Sequence, residues 1–95
     1  MIISFADQAT EALFHGRGRQ ARRIPTDIRR AAVRKLDMLN AARELRDLRV
    51  PPGNRLEALK GDFRGKHSIR VNDQWRIVFR CEGGDAHEVA IVDYH

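Results

Sequence analysis

The chain has 95 residues, 42% of them hydrophobic, 33% charged and 6% aromatic, with a formal net charge of +5. That length suits one domain, able to bury about 60–70% of the surface its unfolded chain exposes. No run approaches the roughly 20 apolar residues of a membrane span, and the first residues lack a signal peptide's basic-then-apolar design; with a single cysteine, Cys81, no internal disulfide is possible and a reducing, cytoplasmic setting is expected.

Ile2-Ile3-Ser4-Phe5 opens the chain as a short β-prone stretch. Asp7 is placed to cap a helix reaching Phe14 or His15, with Ala9, Ala12 and Leu13 on its apolar side and Gly16 as its stop. The Gly- and Arg-rich run from Gly16 to Arg23 reads as a mobile polar loop. Pro25 and Asp27 then start the best-defined helix. Ile28, Ala32, Leu36 and Leu39 recur along it at i, i+4, i+8 and i+11, Val33 widens the stripe, and the helix fades near Asn40. A second short helix around Arg43 to Leu48 presents Leu45 and Leu48, ends at Pro51-Pro52-Gly53, and is set against the first as an antiparallel hairpin on the sheet.

The positive charge gathers in this half. Residues 1–50 hold eleven Lys and Arg against six Asp and Glu, whereas residues 51–95 hold seven of each. Arg17, Arg19, Arg22, Arg23, Arg29, Arg30, Arg34 and Lys35 are opposed locally only by Asp27. Such density suits a polyanion binder, because each neutralised phosphate releases condensed counterions; it also suits a solvated helix face that keeps a small domain soluble. The low aromatic content argues against a base-stacking platform and for backbone contact to folded RNA or DNA.

From Leu56 onward the pattern is of consecutive strands. Ile69 and Val71 fall on one side of the first, with Ser68 and Arg70 on the other. Trp75, Ile77, Phe79 and Cys81 then share one face of the next strand, and Arg76 and Arg80 the other, with Val78 between them. Cys81 therefore reads as a buried structural thiol. Asn72-Asp73 suits a two-residue hairpin turn, Glu82-Gly83-Gly84-Asp85 makes the following one, and Ala86 to Val92 returns as a further strand. The expected fold is α+β: an N-terminal strand, two to three helices, then three to four antiparallel strands, with the helices on one sheet face. The other face carries Arg70, Arg76 and Arg80 next to the chain end. Extended geometry there sets Asp93 and His95 on one side and Tyr94 opposite.

These residues fit one chemistry. A 2′-hydroxyl of RNA can attack its adjacent phosphate, given a base, cations for the charge at phosphorus and an acid for the leaving oxygen. His95 is a candidate for proton transfer, its unperturbed pKa being about 6.5. Lys60, Arg70 and Arg76 are candidates to clamp the phosphate, and Tyr94 to stack on a base or donate a hydrogen bond. Taken singly, a terminal histidine, a Lys-Gly-Asp turn and arginines on an open strand face are ordinary surface features. The four histidines are too scattered for a metal site, and no cofactor is expected.

The motifs in combination are more specific. Leu59-Lys60-Gly61-Asp62, Ser68-Ile69-Arg70-Val71-Asn72, Gln74-Trp75-Arg76-Ile77, Gly84-Asp85-Ala86 and Asp93-Tyr94-His95 resemble those of the HigB toxins, in the RelE/ParE superfamily of bacterial type II toxin–antitoxin systems. The resemblance extends over essentially the whole chain, including the segment from Leu45 to Leu56. It implies a compact RelE-like single domain spanning residues 1–95. It also implies an endoribonuclease that cuts messenger in the A site of the small subunit of the 70S ribosome, stopping translation. The implied partners are the ribosome with its 16S RNA, the messenger, and a HigA-like antitoxin with a helix-turn-helix domain, through which alone the complex reaches operator DNA; no membrane is involved. By matched position, Lys60 and Arg76 would bind the scissile phosphate, and Asp93, Tyr94 and His95 would form a terminal catalytic cluster. The block containing Arg29, Arg30 and Arg34 would contact ribosomal RNA.

In one respect the sequence departs from that pattern. Some family members carry a histidine three residues before the lysine, where this chain has Glu57. A glutamate there can serve as base, or pair with Lys60 or Arg76, or leave catalysis to the terminal cluster. Two rival functions follow: a relative of the same fold acting on DNA gyrase, and a chain that binds ribosome or antitoxin without cutting.

Overall fold

A computed structural model describes residues 1–94. Its N-terminal segment runs parallel to the last strand of the chain, through bridges Ile2–Ala86 and Phe5–Val89. Ile3 N donates to Ala86 O at 2.8 Å and Ala6 N to Val89 O at 2.9 Å. The expected opening strand is thus two short bridges, interrupted where Glu88 takes φ +53 and donates its N–H to Ser4 Oγ at 2.9 Å.

Helix α1 spans Gln8–Phe14, and the Asp7 side chain accepts from Thr10 N at 2.8 Å, as its capping position predicts. The Thr10 hydroxyl, fully buried, accepts from Ile91 N at 3.0 Å and so ties the helix to the sheet. The Gly/Arg run that follows is not the loose polar loop its composition suggests. Gly18–Ala21 form a 3₁₀ turn, and Ala21 and Ile24 are completely buried. Arg29 reaches back from the next helix to donate to the carbonyls of Ile24 (2.9 Å), Ala21 (2.8 Å) and Gly18 (3.2 Å). Those charge-assisted bonds tie the turn to α2, alongside the bond from Ile24 N to Ala21 O at 3.0 Å.

Helix α2 covers Thr26–Ala41 and buries Ile28, Ala32, Leu36 and Leu39, the expected stripe. The expected second helix of a hairpin is instead a 3₁₀ turn, Leu45–Arg49. Its start is fixed by a reciprocal Glu44–Asp47 cap and Pro51 follows closely, so the short stretch between them closes more easily at three residues per turn. Leu48 still enters the core.

Four antiparallel strands complete the fold: β1 (Glu57–Ala58), β2 (His67–Arg70), β3 (Trp75–Glu82) and β4 (Asp85–Asp93), adjacent in that order. The β2–β3 connection is wider than a two-residue turn. Asn72 Oδ1 accepts the N–H groups of both Gln74 and Trp75 at 2.8 Å, which stretches the loop from Val71 to Gln74. Ile69, Ile77 and Ile91 stand in one register row and are completely buried under the helices. Burying each contributes about 1.5–3 kcal/mol, a share of the core that fixes which strand face turns inward. Cys81, half-buried, packs at the margin of this core. On the opposite face lie two further rows, Glu57–Ser68–Val78–Ala90 and Arg70–Arg76–Val92.

The β3–β4 turn has Gly83 at φ +59 and Gly84 at φ +85, the left-handed pair that a tight hairpin requires. A Cβ on Gly83 would meet open space, whereas one on Gly84 would lie 2.1 Å from the carbonyl oxygen of Arg43, just beyond α2. Gly83→Ala should therefore cost about 1–2 kcal/mol, the left-handed penalty alone. Gly84→Ala should cost at least about twice that, because backbone must also move. Urea denaturation of the two variants checks the difference, and equal midpoints would refute the docking of this turn on Arg43.

Candidate active site

The strand alternation that sends Ile77 inward sends Arg76 to the opposite face. There its side chain is 9% exposed, far from the free guanidinium of a solvated surface arginine. Nε donates to Ser68 Oγ at 2.7 Å across the β2–β3 pair, and Nη2 donates to the carbonyl of Arg55 at 2.6 Å. Glu57 Oε1 lies 3.9 Å from Nη2, its carboxylate otherwise open to solvent. Burial pulls the Arg76 pKa down, Glu57 and Tyr94 oppose that, and Arg70 and Arg55 add to it. A guanidinium keeps its proton under such pressure, so the site offers a fixed positive charge at the floor of a face.

Around this charge the structure gathers several of the residues singled out in the sequence. Tyr94 extends the ladder through a bond from its N–H to Gln74 O (2.9 Å), and its ring stands 6.1 Å from that of Phe63. Phe63 belongs to the 3₁₀ turn Gly61–Phe63, which Lys60, exposed, leads into. Arg70 is the register partner of Arg76 and forms an ion pair with Asp73. Asp93 pairs in register with Trp75, which sets it on the helix-facing side of β4; its Oδ2 accepts from Gln74 Nε2 at 2.9 Å. His95 lies outside the described residues.

The basic block divides. Arg30 and Arg34 are exposed on α2, while Arg29 is committed to the three carbonyls above and Lys35 is buried. Burial, then Arg34, then Arg70, lowers the Lys35 pKa below the usual lysine value. Arg34, Lys35, Arg70 and Arg76 thus form a run of electrostatic neighbours from helix to sheet. A separate concavity of about 370 Å³, lined by Leu45, Arg46, Arg49, Leu56, Ala58 and His67, involves the helix-facing side of β1 and β2. Among the described residues no group of His, Cys, Asp and Glu could hold a metal ion, and no helix is long and apolar enough to cross a membrane.

The family described as RelE-like toxin of type II toxin-antitoxin system HigB matches residues 3–95. The chain belongs to the HigB-like toxin family. Toxin HigB-1 of Vibrio cholerae serotype O1 is 44% identical over 86 residues, 90% of each chain. Endoribonuclease HigB of Proteus vulgaris is 46% identical over 41 residues, 43% of this chain and 45% of that one. In fold, the chain resembles the YoeB-YefM complex from Staphylococcus aureus, with a TM-score of 0.62 and 19% identity over 100% of this chain and 95% of that one.

In this HigB-family chain, sequence reasoning found Arg76 but not what holds it. Ser68 was legible as a neighbour, since it shares the strand face of Arg70. Arg55 was not, because a backbone acceptor leaves no mark on composition or spacing. Ser68→Ala strands Arg76 Nε and should cost about 1–3 kcal/mol. In an Arg76→Met background the same change should cost less than half as much. Urea denaturation of the four proteins measures the coupling, and an equal cost in both backgrounds would rule the bond out.

Proposed function

We propose that this HigB-family toxin is a ribosome-dependent endoribonuclease that cuts messenger in the A site. The reading rests chiefly on Arg76, a pre-set cation beside a carboxylate and a phenol, within a chain whose relative in Proteus vulgaris is named an endoribonuclease. In the reaction the messenger's 2′-oxygen bonds to the adjacent phosphorus and the bond to the 5′-oxygen breaks, leaving a 2′,3′-cyclic phosphate and a 5′-hydroxyl. A base takes the 2′-hydroxyl proton and an acid supplies one to the departing oxygen. Arg76 and Lys60 would stabilise the charge that grows on the phosphate oxygens; Arg76 does so without reorganising, because two of its donors are already fixed. His95 is assigned one of these two transfers, as base or as acid, with Asp93 and Tyr94 completing the terminal cluster and Tyr94 stacked on or bonded to the substrate. Glu57, 3.9 Å from the guanidinium, is better placed to balance the Arg76 charge than to replace a base.

Exposed Arg30 and Arg34, with Arg70, would engage RNA backbone, and this charge is what steers a small basic protein to the ribosome. Work at the ribosome places the protein in the cytoplasm. Its inhibitor would be a HigA-type antitoxin with a helix-turn-helix domain, in keeping with the toxin-antitoxin family to which the chain belongs.

Primer extension on a messenger translated in vitro, with and without ribosomes, is the test. Wild type should cut only when ribosomes are present. His95→Ala and Arg76→Ala should each lose about a hundredfold or more in rate, the usual cost of removing a proton-transfer group or a charge-stabilising donor. Glu57→Ala should lose less than about tenfold, as expected of a carboxylate that only tunes a neighbouring charge. Intact messenger with wild-type protein would overturn the reading, and a gyrase block in its place would identify the gyrase-directed alternative.

A further inference from the structure

The carbonyl that holds Arg76 belongs to a segment that is itself held from the helix layer. Arg55 stands in the left-handed region at φ +44, which a residue with a Cβ keeps only where its surroundings enforce it. Immediately before it, Asn54 is completely buried although Gly53 and Arg55 on either side are exposed. Asn54 Nδ2 donates to the carbonyls of Leu48 (3.1 Å) and Val50 (3.4 Å), and Oδ1 accepts from Lys35 Nζ. One side chain thereby joins α2, the turn after it and the segment leading into β1.

Lys35 is an unusual residue to find there. It is 8% exposed, next in sequence to the fully buried Leu36, and burial works against its charge. If this position served packing alone, an apolar side chain of similar length would fill it at no electrostatic cost. An apolar residue cannot donate to Asn54. The lysine is explained by the bond it makes, and the bond is explained by where Asn54 sits, one residue before the anchor of Arg76.

We propose that Lys35 and Asn54 are positioning residues for Arg76: they lock the Arg55 carbonyl in place, and the carbonyl sets the plane in which the guanidinium meets a phosphate. Without the lock, Arg55 is free to leave its left-handed conformation, Nη2 loses its short bond at 2.6 Å and keeps only the longer one to Ser68 O at 3.5 Å, and the guanidinium pivots about its contacts to Ser68. The role in phosphate binding rests on the nuclease reading above, whereas the lock itself is a property of the fold.

Lys35→Met is the variant of choice, since it keeps length and approximate volume; should it fail to fold, Asn54→Asp, which keeps the bond from Lys35 but repels the Leu48 and Val50 carbonyls, carries the same readouts. Exchange of the Arg76 Nη–H groups, the donors that Arg55 holds, is followed by ¹⁵N NMR, and cleavage and ribosome affinity are measured beside it. Exchange should quicken at least about tenfold, the factor that corresponds to about 1.4 kcal/mol of lost protection. Cleavage at saturating toxin should fall about ten- to a hundredfold, the scale of a ~1 Å misplacement, with ribosome affinity within about twofold of wild type. A purely structural residue would lower stability without dividing rate from affinity in this way. Unchanged exchange would overturn the lock. Faster exchange with undiminished cleavage would overturn its role in positioning. If wild type does not cut, the nuclease reading fails separately, and the exchange result still decides the lock.

Discussion

Sinking a guanidinium into the face of a sheet costs several kcal/mol unless its donors find acceptors, and much of this fold is arranged around that requirement at Arg76. Ser68 can accept only if β2 and β3 pair in one register. The row Ile69–Ile77–Ile91 enforces it, because a slip by one residue would turn those side chains away from the helices and bring others into Arg76's place. Arg55 can accept only if the segment before β1 is folded back over the sheet, and that geometry comes from Asn54. The apolar core and the charged site are therefore not separate achievements of the sequence. The same alternation along β3 that buries Ile77 and Phe79 delivers Arg76 to the opposite side.

Helix α2 connects the two layers electrostatically as well. Its apolar stripe lies on the sheet, and Arg34 and Lys35 extend the field of Arg70 and Arg76 into the helix layer. Arg76 therefore sits where several cations act together and low-dielectric walls limit their screening. Arg29 shows the other use of the same residue type: three carbonyls take its donors, and the turn beneath it is ordered as a result.

How much of this was legible depended on distance along the chain. α1 and its Asp7 cap, the stripe on α2, the β3–β4 hairpin and the two-faced strands follow from local periodicity and turn chemistry, and the structure has them. The Gly18–Ala21 turn was misread as loose because its order comes from Arg29, beyond the window in which composition is read. The region around Leu45 to Leu48 carries helix-like leucines, but its caps leave too little room for an α-helix. Strand parity places Arg76 and Arg70 together on the face away from the helices, as the structure has them, whereas Lys60, Tyr94 and Asp93 are singled out by family resemblance alone, and Asp93 falls on the helix-facing side. Lys35 read as one more surface cation. Its partner Asn54 lies 19 residues away, and the acceptor of Arg76 lies 21 residues away, so neither link leaves a local signature.

The parallel bridges of the N-terminal segment have a consequence for how the molecule keeps to itself. A sheet whose outer strand is long and unpaired offers its N–H and C=O groups to any passing chain, the usual beginning of strand-to-strand aggregation. Here β4 is flanked along residues 86–89 by the chain's own first residues, and the Glu88 irregularity bends the strand at that border. At the far side the sheet ends in β1, only two residues long and bearing the charge of Glu57. Little regular backbone is left on either flank to template a second copy. Edges this short and this well covered offer few backbone groups for strand-to-strand pairing.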